Sequence, residues 1–206
     1  MMKSYITAMT LSFFLITMVN MLLNRNSRRF KNKIRWQHYF FGYLFMLYLM
    51  ISLNDVVGFP TLSNWKRLLS LNESIFKPNI NLVPFKDGLE ISAILNIIFF
   101  MPFGFLLPTL WERYKRLLST LCNGLMFSII IEISQLFANG RGTDINDLIM
   151  NTIGTICGWI AFNVISKVFH KLADNTVVEM SSNDSIVVKL EPYIYIAIAI
   201  ISTFLS

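Results

Sequence analysis

Glu132, Gln135, Arg141, Asp144, Asp147 and Asn151 fall within twenty consecutive residues, and Asn96 stands in an apolar run upstream. The sequence around them is greasy enough to dissolve in lipid. A carboxylate in a membrane helix costs about 2.5–3.5 kcal/mol on insertion scales. Such a residue is therefore read first as functional, with a partner to be named. Glu132 and Asp147 are of the type that serves as a general base, and are the candidate catalytic residues. Arg141 carries a planar fork that donates two hydrogen bonds at once to a carboxylate or phosphate. The carboxylates could offer hard oxygen ligands to a divalent ion, but no metal-binding motif is complete. Neither a metal nor another cofactor is expected.

The elements that must position these groups follow from composition. Of 206 residues, 54% are hydrophobic and 15% charged, where a soluble domain carries about a quarter of its residues as charges. Several apolar runs approach the roughly 20 residues that span a bilayer. They are continuous rather than alternating, and in lipid only helices or closed barrels satisfy the backbone. The expected fold is all-α: a polytopic membrane bundle of about six transmembrane helices, five at minimum. The spans are read at 4–23, 39–58, 90–111, 117–138, 144–169 and 190–206, the last being the shortest. The organisation expected is an N-terminal helix with a basic loop (1–38), a transmembrane core (39–169), and a loop with a final helix (170–206).

The net charge of +6 does not point to nucleic acid, because the cations sit in loops between apolar runs, where they set topology. Twelve of the 18 Lys and Arg residues fall on one side if the spans alternate. Six of those lie in the loop 25–38, which has no acid. That side is taken as cytoplasmic. Both termini and the loops 59–89 and 139–143 are then outside, and His38 and His170 lie on the opposite side from the polar cluster. The first helix is read as retained, since no small-residue cleavage pattern follows it. The stretch 64–76 could form an interfacial helix with Trp65 at headgroup level. A weak hairpin pattern runs from Thr176 to Leu190. Cys122 and Cys157 are read as small packing residues.

On a helical wheel, Gly124, Ser128, Glu132, Gln135 and Asn139 share an arc of roughly 80°, and so do Asp144, Asp147, Asn151, Gly154 and Gly158. Only a short loop joins the two helices, so they are antiparallel neighbours whose polar faces should meet each other or a shared cavity. Asn96 and Glu132 each lie about 9 Å inside their helix ends. Part of the pattern is structural. Asp144 reads as a helix N-cap, with Asp147 completing a pair like a capping box. Gly154 and Gly158 form a small-xxx-small contact, and Pro102 should kink its helix. Arg141 is the expected partner of Glu132.

The third span reads N-x-x-x-F-x-P-x-G at Asn96, Phe100, Pro102 and Gly104. The next two read E-x-x-Q, then R-x-x-D-x-x-D-x-x-x-N-x-x-G, at Glu132, Gln135, Arg141, Asp144, Asp147, Asn151 and Gly154. NLVPF, residues 81–85, precedes them. Over roughly residues 39–169 the chain resembles the VanZ-like family of bacterial membrane proteins. The resemblance implies a cell-envelope role and lowered susceptibility to glycopeptide antibiotics such as teicoplanin. The expected site is the polar patch near the outer face, and its ligand a lipid-linked cell-wall precursor or an envelope protein. Two alternatives stay open. One is an intramembrane carboxylate-based enzyme, metal-assisted or not, acting on a lipid-linked substrate. The other is a proton-coupled transporter, for which six spans without an inverted repeat are few.

Overall fold

The computed structural model describes residues 2–29, 34–86, 88, 91–178 and 186–206. The bundle consists of helices α1 (Met2–Arg29), α2 (Trp36–Ile51), α4 (Ile91–Leu110), α5 (Leu117–Gln135), α6 (Ile145–Val168) and α8 (Ile186–Phe204). Two short helices, α3 (Leu62–Ser70) and α7 (His170–Thr176), lie between them. The only strands among the described residues are β1 (Ile80–Asn81) and β2 (Thr143–Asp144), paired in parallel. Five helical segments are long and apolar enough to cross a membrane: Tyr5–Leu23, Trp36–Val56, Ala93–Leu110, Leu117–Gln135 and Ile145–Val168. The all-α membrane bundle expected from composition is the observed architecture. The sixth long helix, α8, packs chiefly on α1 and α2 and carries Lys189 and Glu191 in its first turns.

Consecutive long helices run in opposite directions. Ser63 Oγ donates to the carbonyl of Ser206 at 2.8 Å, and Tyr5 bonds Asp55, so both termini lie at the end of the bundle that carries α3. Trp111 and α7 mark the other end. Lipid tails are as apolar as leucine, so close packing rather than water exclusion must hold such helices together. The most extensive pairing among the described residues is α4 with α6. A Cβ on Gly154 would collide with the carbonyl of Ile97, one on Gly158 with that of Met101, and one on Gly104 with that of Thr155. Three glycines therefore let the two backbones touch. The small face of α6 turns to α4 rather than to α5, which corrects part of the wheel reading. Its polar flank does meet α5, where a Cβ on Gly124 would stand 2.5 Å from Thr155 Oγ1. Pro102 and Pro108 both lie inside α4, and the helix continues past them to Leu110.

Aromatic rings fill the centre. Phe103 stacks on Phe127 with centroids 4.9 Å apart, and Phe45, Trp111 and Tyr195 meet at tilted or edge-on angles. The amphipathic helix expected within 64–76 is α3, capped by Thr61, whose hydroxyl accepts from the amide of Asn64 at 3.2 Å. Trp65 is tied down there: its indole donates to the Phe137 carbonyl at 3.1 Å and meets Phe204 edge-on. The expected hairpin does not form from Ile186 onward, where α8 begins, and its turn lies outside the described residues. Continuous apolar positions that touch α1 favour helix over alternating strand.

His38 has a role that its position did not suggest. It is fully buried, with Nε2 2.9 Å from Glu191 Oε1 and Nδ1 3.0 Å from the Thr176 carbonyl. Trp111 Nε1 donates to the other Glu191 oxygen at 2.8 Å. A carbonyl can only accept, so Nδ1 carries a hydrogen. The Nε2–Oε1 contact then holds one proton between ring and carboxyl. Nearby, Val178 donates to the Leu110 carbonyl at 2.9 Å and accepts from Glu112. These bonds tie α2, α4, the segment after α7, and α8 into one knot. Removing one partner of such a pair leaves a buried polar group uncompensated, at about 3–5 kcal/mol. Glu191→Ala should lower the unfolding free energy of the detergent-purified protein by that amount. A loss below about 1 kcal/mol, the ordinary effect of a substitution, would show that the knot does not hold the bundle.

Candidate functional site

The polar residues converge at the α3 end, where α5 runs into α6. The helix α5 ends at Gln135, and the chain turns through Gly140, whose φ of 74° lies in the left-handed region. It then enters β2, and Asp144 caps α6 with Oδ1 2.8 Å from the amide of Asn146. The amide of Asp144 itself donates to Glu132 Oε2 at 2.9 Å. Thr143 Oγ1 donates to the main-chain carbonyl of Glu132 at 2.8 Å. The return bond of a capping box, expected from Asp147, is thus supplied across the helix pair by Glu132. Asp147 instead accepts from Asn96 Nδ2 at 2.7 Å, joining α6 to α4. One turn deeper, Asn151 donates to Ser128 Oγ at 2.9 Å.

This network also holds the long connection after α3. Asn81 Nδ2 donates to Asp144 Oδ2 at 3.1 Å, Thr143 N to the Asn79 carbonyl at 2.8 Å, and Phe85 N to Asn146 Oδ1 at 2.9 Å. Lys77 N reaches the Leu136 carbonyl at 3.0 Å. The segment 77–85 therefore lies as a strap across the α5–α6 turn. Glu132 and Gln135 are buried, and one oxygen of each, Oε1, has no hydrogen-bond partner among the described residues. Asp144 and Asp147 both repel the Glu132 carboxyl, so three acids crowd one corner. Among the described residues no group of three or more His, Cys, Asp or Glu side chains is placed to hold a metal ion.

Arg141 does not join Glu132. Its guanidinium turns the other way, lies against Gly58, and reaches only the Val56 carbonyl, at a long 3.4 Å. The reason is geometric: the β1–β2 pairing fixes Thr143 and Asp144 against the strap, and Glu132 is already engaged by the Asp144 amide. Gly58, two residues past the helical turn Ser52–Val56 that extends α2, has φ of 64°, and an added Cβ would meet Arg141 Nη2 at 3.0 Å. A cleft of about 220 Å³ opens there, lined by Gly58, Asn64, Arg67, Phe137, Asn139 and Arg141 among others. Lys77 is already committed, bonded to Glu73 and to Asn139 Oδ1. Its ammonium holds the Glu73 carboxyl below the usual carboxylate range, with a smaller push from Arg67. In the sequence Arg67 is one of the six Lys and Arg residues outside the majority side, with nothing beside it to mark a site. The signal available was Gly58-x-Pro60, a helix stop that brings α3 back over the α5–α6 turn.

Five membrane-length apolar helices, with polar residues gathered at one end, define a multipass membrane protein. Residues 40–166 match the VanZ/LLP1 family, and the chain belongs to that family. No curated protein and no solved structure matches it significantly.

The cap and the strap make a stability prediction. Asp144→Ala removes the cap bond and the Asn81 partner together, at about 1–2 kcal/mol. Asp144→Asn keeps a cap acceptor and should cost less than half as much. Thermal melting of the two variants in detergent checks this, and equal losses would show that the cap is not what matters.

Proposed function

We propose that the protein is an envelope factor that lowers susceptibility to glycopeptide antibiotics such as teicoplanin by holding a lipid-linked cell-wall intermediate or a partner protein at its α3 end. Family membership makes this the first reading, and the loop charges favour an outward-facing α3 end. One observation carries it to a site. Within the motif that bears the family resemblance, Asn96, Glu132, Asp144, Asp147 and Asn151 bond to one another or to neighbouring chain. Arg141 alone is turned toward an open cleft and makes no ion pair among the described residues. The acids and amides build the holder, and the arginine is what it presents.

A second reading, a carboxylate-based intramembrane enzyme, is favoured by one detail: the buried Oε1 of Glu132 has no partner among the described residues. Glu132→Gln separates the two. It keeps the shape and a hydrogen-bond acceptor for the Asp144 amide but loses the basic carboxylate.

The test is teicoplanin susceptibility of a Gram-positive host carrying wild type, Arg141→Ala or Glu132→Gln, with membrane levels matched. Wild type should protect. Arg141→Ala gives up charge-assisted bonds worth about 1.5–3 kcal/mol, a roughly ten- to hundredfold weaker hold, and should lose most of the protection. Full protection by Arg141→Ala rules out the arginine site. Loss with Glu132→Gln alone, at normal folding, moves the reading to catalysis.

A further inference from the structure

We infer that Arg141 and Arg67 together form an anion site for a phosphate headgroup, entered from the lipid leaflet. This rests on Arg141 as the presenting group and names the chemistry it meets. Arg67 and Arg141 both line one cleft, together with Asn64 and with Asn139, whose Oδ1 accepts from Lys77. None of the residues that line it is acidic. Glu73 is bonded to Lys77 and lies near enough to feel the charge of Arg67 as well, while Asp55 is bonded by Tyr5. Two arginines on one cleft suit the oxygens of a phosphate, because arginine donates in pairs and stays charged. The volume, about 220 Å³, falls below the roughly 300–1,000 Å³ of sites that enclose a whole drug-sized ligand. It suits a headgroup whose remainder stays outside.

The surroundings point to lipid as the source. Leu69 on α3, Leu71 and Phe76 after it, and Leu82 and Val83 on the strap are all exposed. A polar loop in water would not display five large apolar side chains in fifteen residues. On a helix and strap lying in the bilayer interface they have an apolar medium to enter. Gly58 leaves room for Arg141: a Cβ there would stand 3.0 Å from Nη2, and its φ of 64° disfavours any other residue.

The experiment uses the full chain in neutral detergent micelles, with calorimetric titration of short-chain phosphatidic acid and, separately, inorganic phosphate. Wild type should bind the lipid phosphate more tightly than the free ion. Arg67→Gln and Arg141→Gln should each weaken lipid binding roughly tenfold or more, the loss of a charged hydrogen-bonded contact. Lys86→Gln, outside the cleft, should leave it unchanged. Arg67 is exposed on a surface helix, so its variant keeps the test readable should Arg141→Gln misfold. Unchanged binding in the Arg67→Gln protein, or equal weakening by Lys86→Gln, overturns the site. Equally tight free phosphate keeps the anion site and overturns its lipid source. A variant that no longer binds phosphate yet still protects against teicoplanin refutes the functional reading and leaves the site standing.

Discussion

The contact of α4 with α6 is the constraint on which the rest of the molecule depends. At Gly104, Gly154 and Gly158 a backbone carbonyl of the facing helix occupies the space a Cβ would need. In a bilayer, where apolar side chains gain nothing by leaving lipid for protein, this approach supplies dispersion contact along the whole interface. It also sets distances. With the axes this close, Asn96 of α4 reaches Asp147 of α6, and Thr155 of α6 fills the notch left by Gly124 of α5. The polar corner is built on that triad of helices and would not assemble at ordinary spacing.

The corner solves a problem of backbone chemistry. A helix that starts near the membrane surface has free amides, and a helix that ends there has free carbonyls. The Asp144 and Glu132 carboxylates accept from amides at the start of α6, Thr143 Oγ1 donates to the Glu132 carbonyl, and the strap 77–85 adds the Lys77 amide to the Leu136 carbonyl. The carboxylates of Glu132, Asp144 and Asp147 each accept a hydrogen bond from an amide of this chain, and Glu132 Oε1 is left without a partner among the described residues. The cation between them in the chain is released to the opposite side of the turn, where Gly58 makes room for it. On the proposed reading, the acids hold the corner and the arginine is what it presents.

A second polar centre closes the other end of the bundle. His38 comes from α2, Glu191 from α8 and Trp111 from the residue just after α4, and the Thr176 carbonyl completes the set. His38 and Glu191 both lie outside residues 40–166, and Trp111, inside them, donates to Glu191, so α8 is fastened to the family core through a buried hydrogen bond as well as through greasy contact. Bundles whose helices slide easily in lipid gain register from such pairs, because any displaced arrangement strands a polar group.

The sequence by itself determined what depends on local chemistry. Length and continuity of the apolar runs specified the helices, since lipid admits almost nothing else. Gly154 and Gly158 announced a close contact, Asp144 a helix start, and the stretch 64–76 a surface helix. The motif from Asn96 to Gly154 carried the family. What the sequence left open was every relation across helices. Which helix the glycines would face, that Glu132 would bond the Asp144 amide instead of Arg141, and that His38 would meet Glu191 across 153 positions were decided only by tertiary packing. A wheel reports which side of one helix a residue occupies; rotation of that helix against its neighbours is set by summed contacts along all of them. Arg67 and Arg141 show it best: 74 positions apart in the chain, they share a cleft only because α3 folds back over the turn that the acids hold in place.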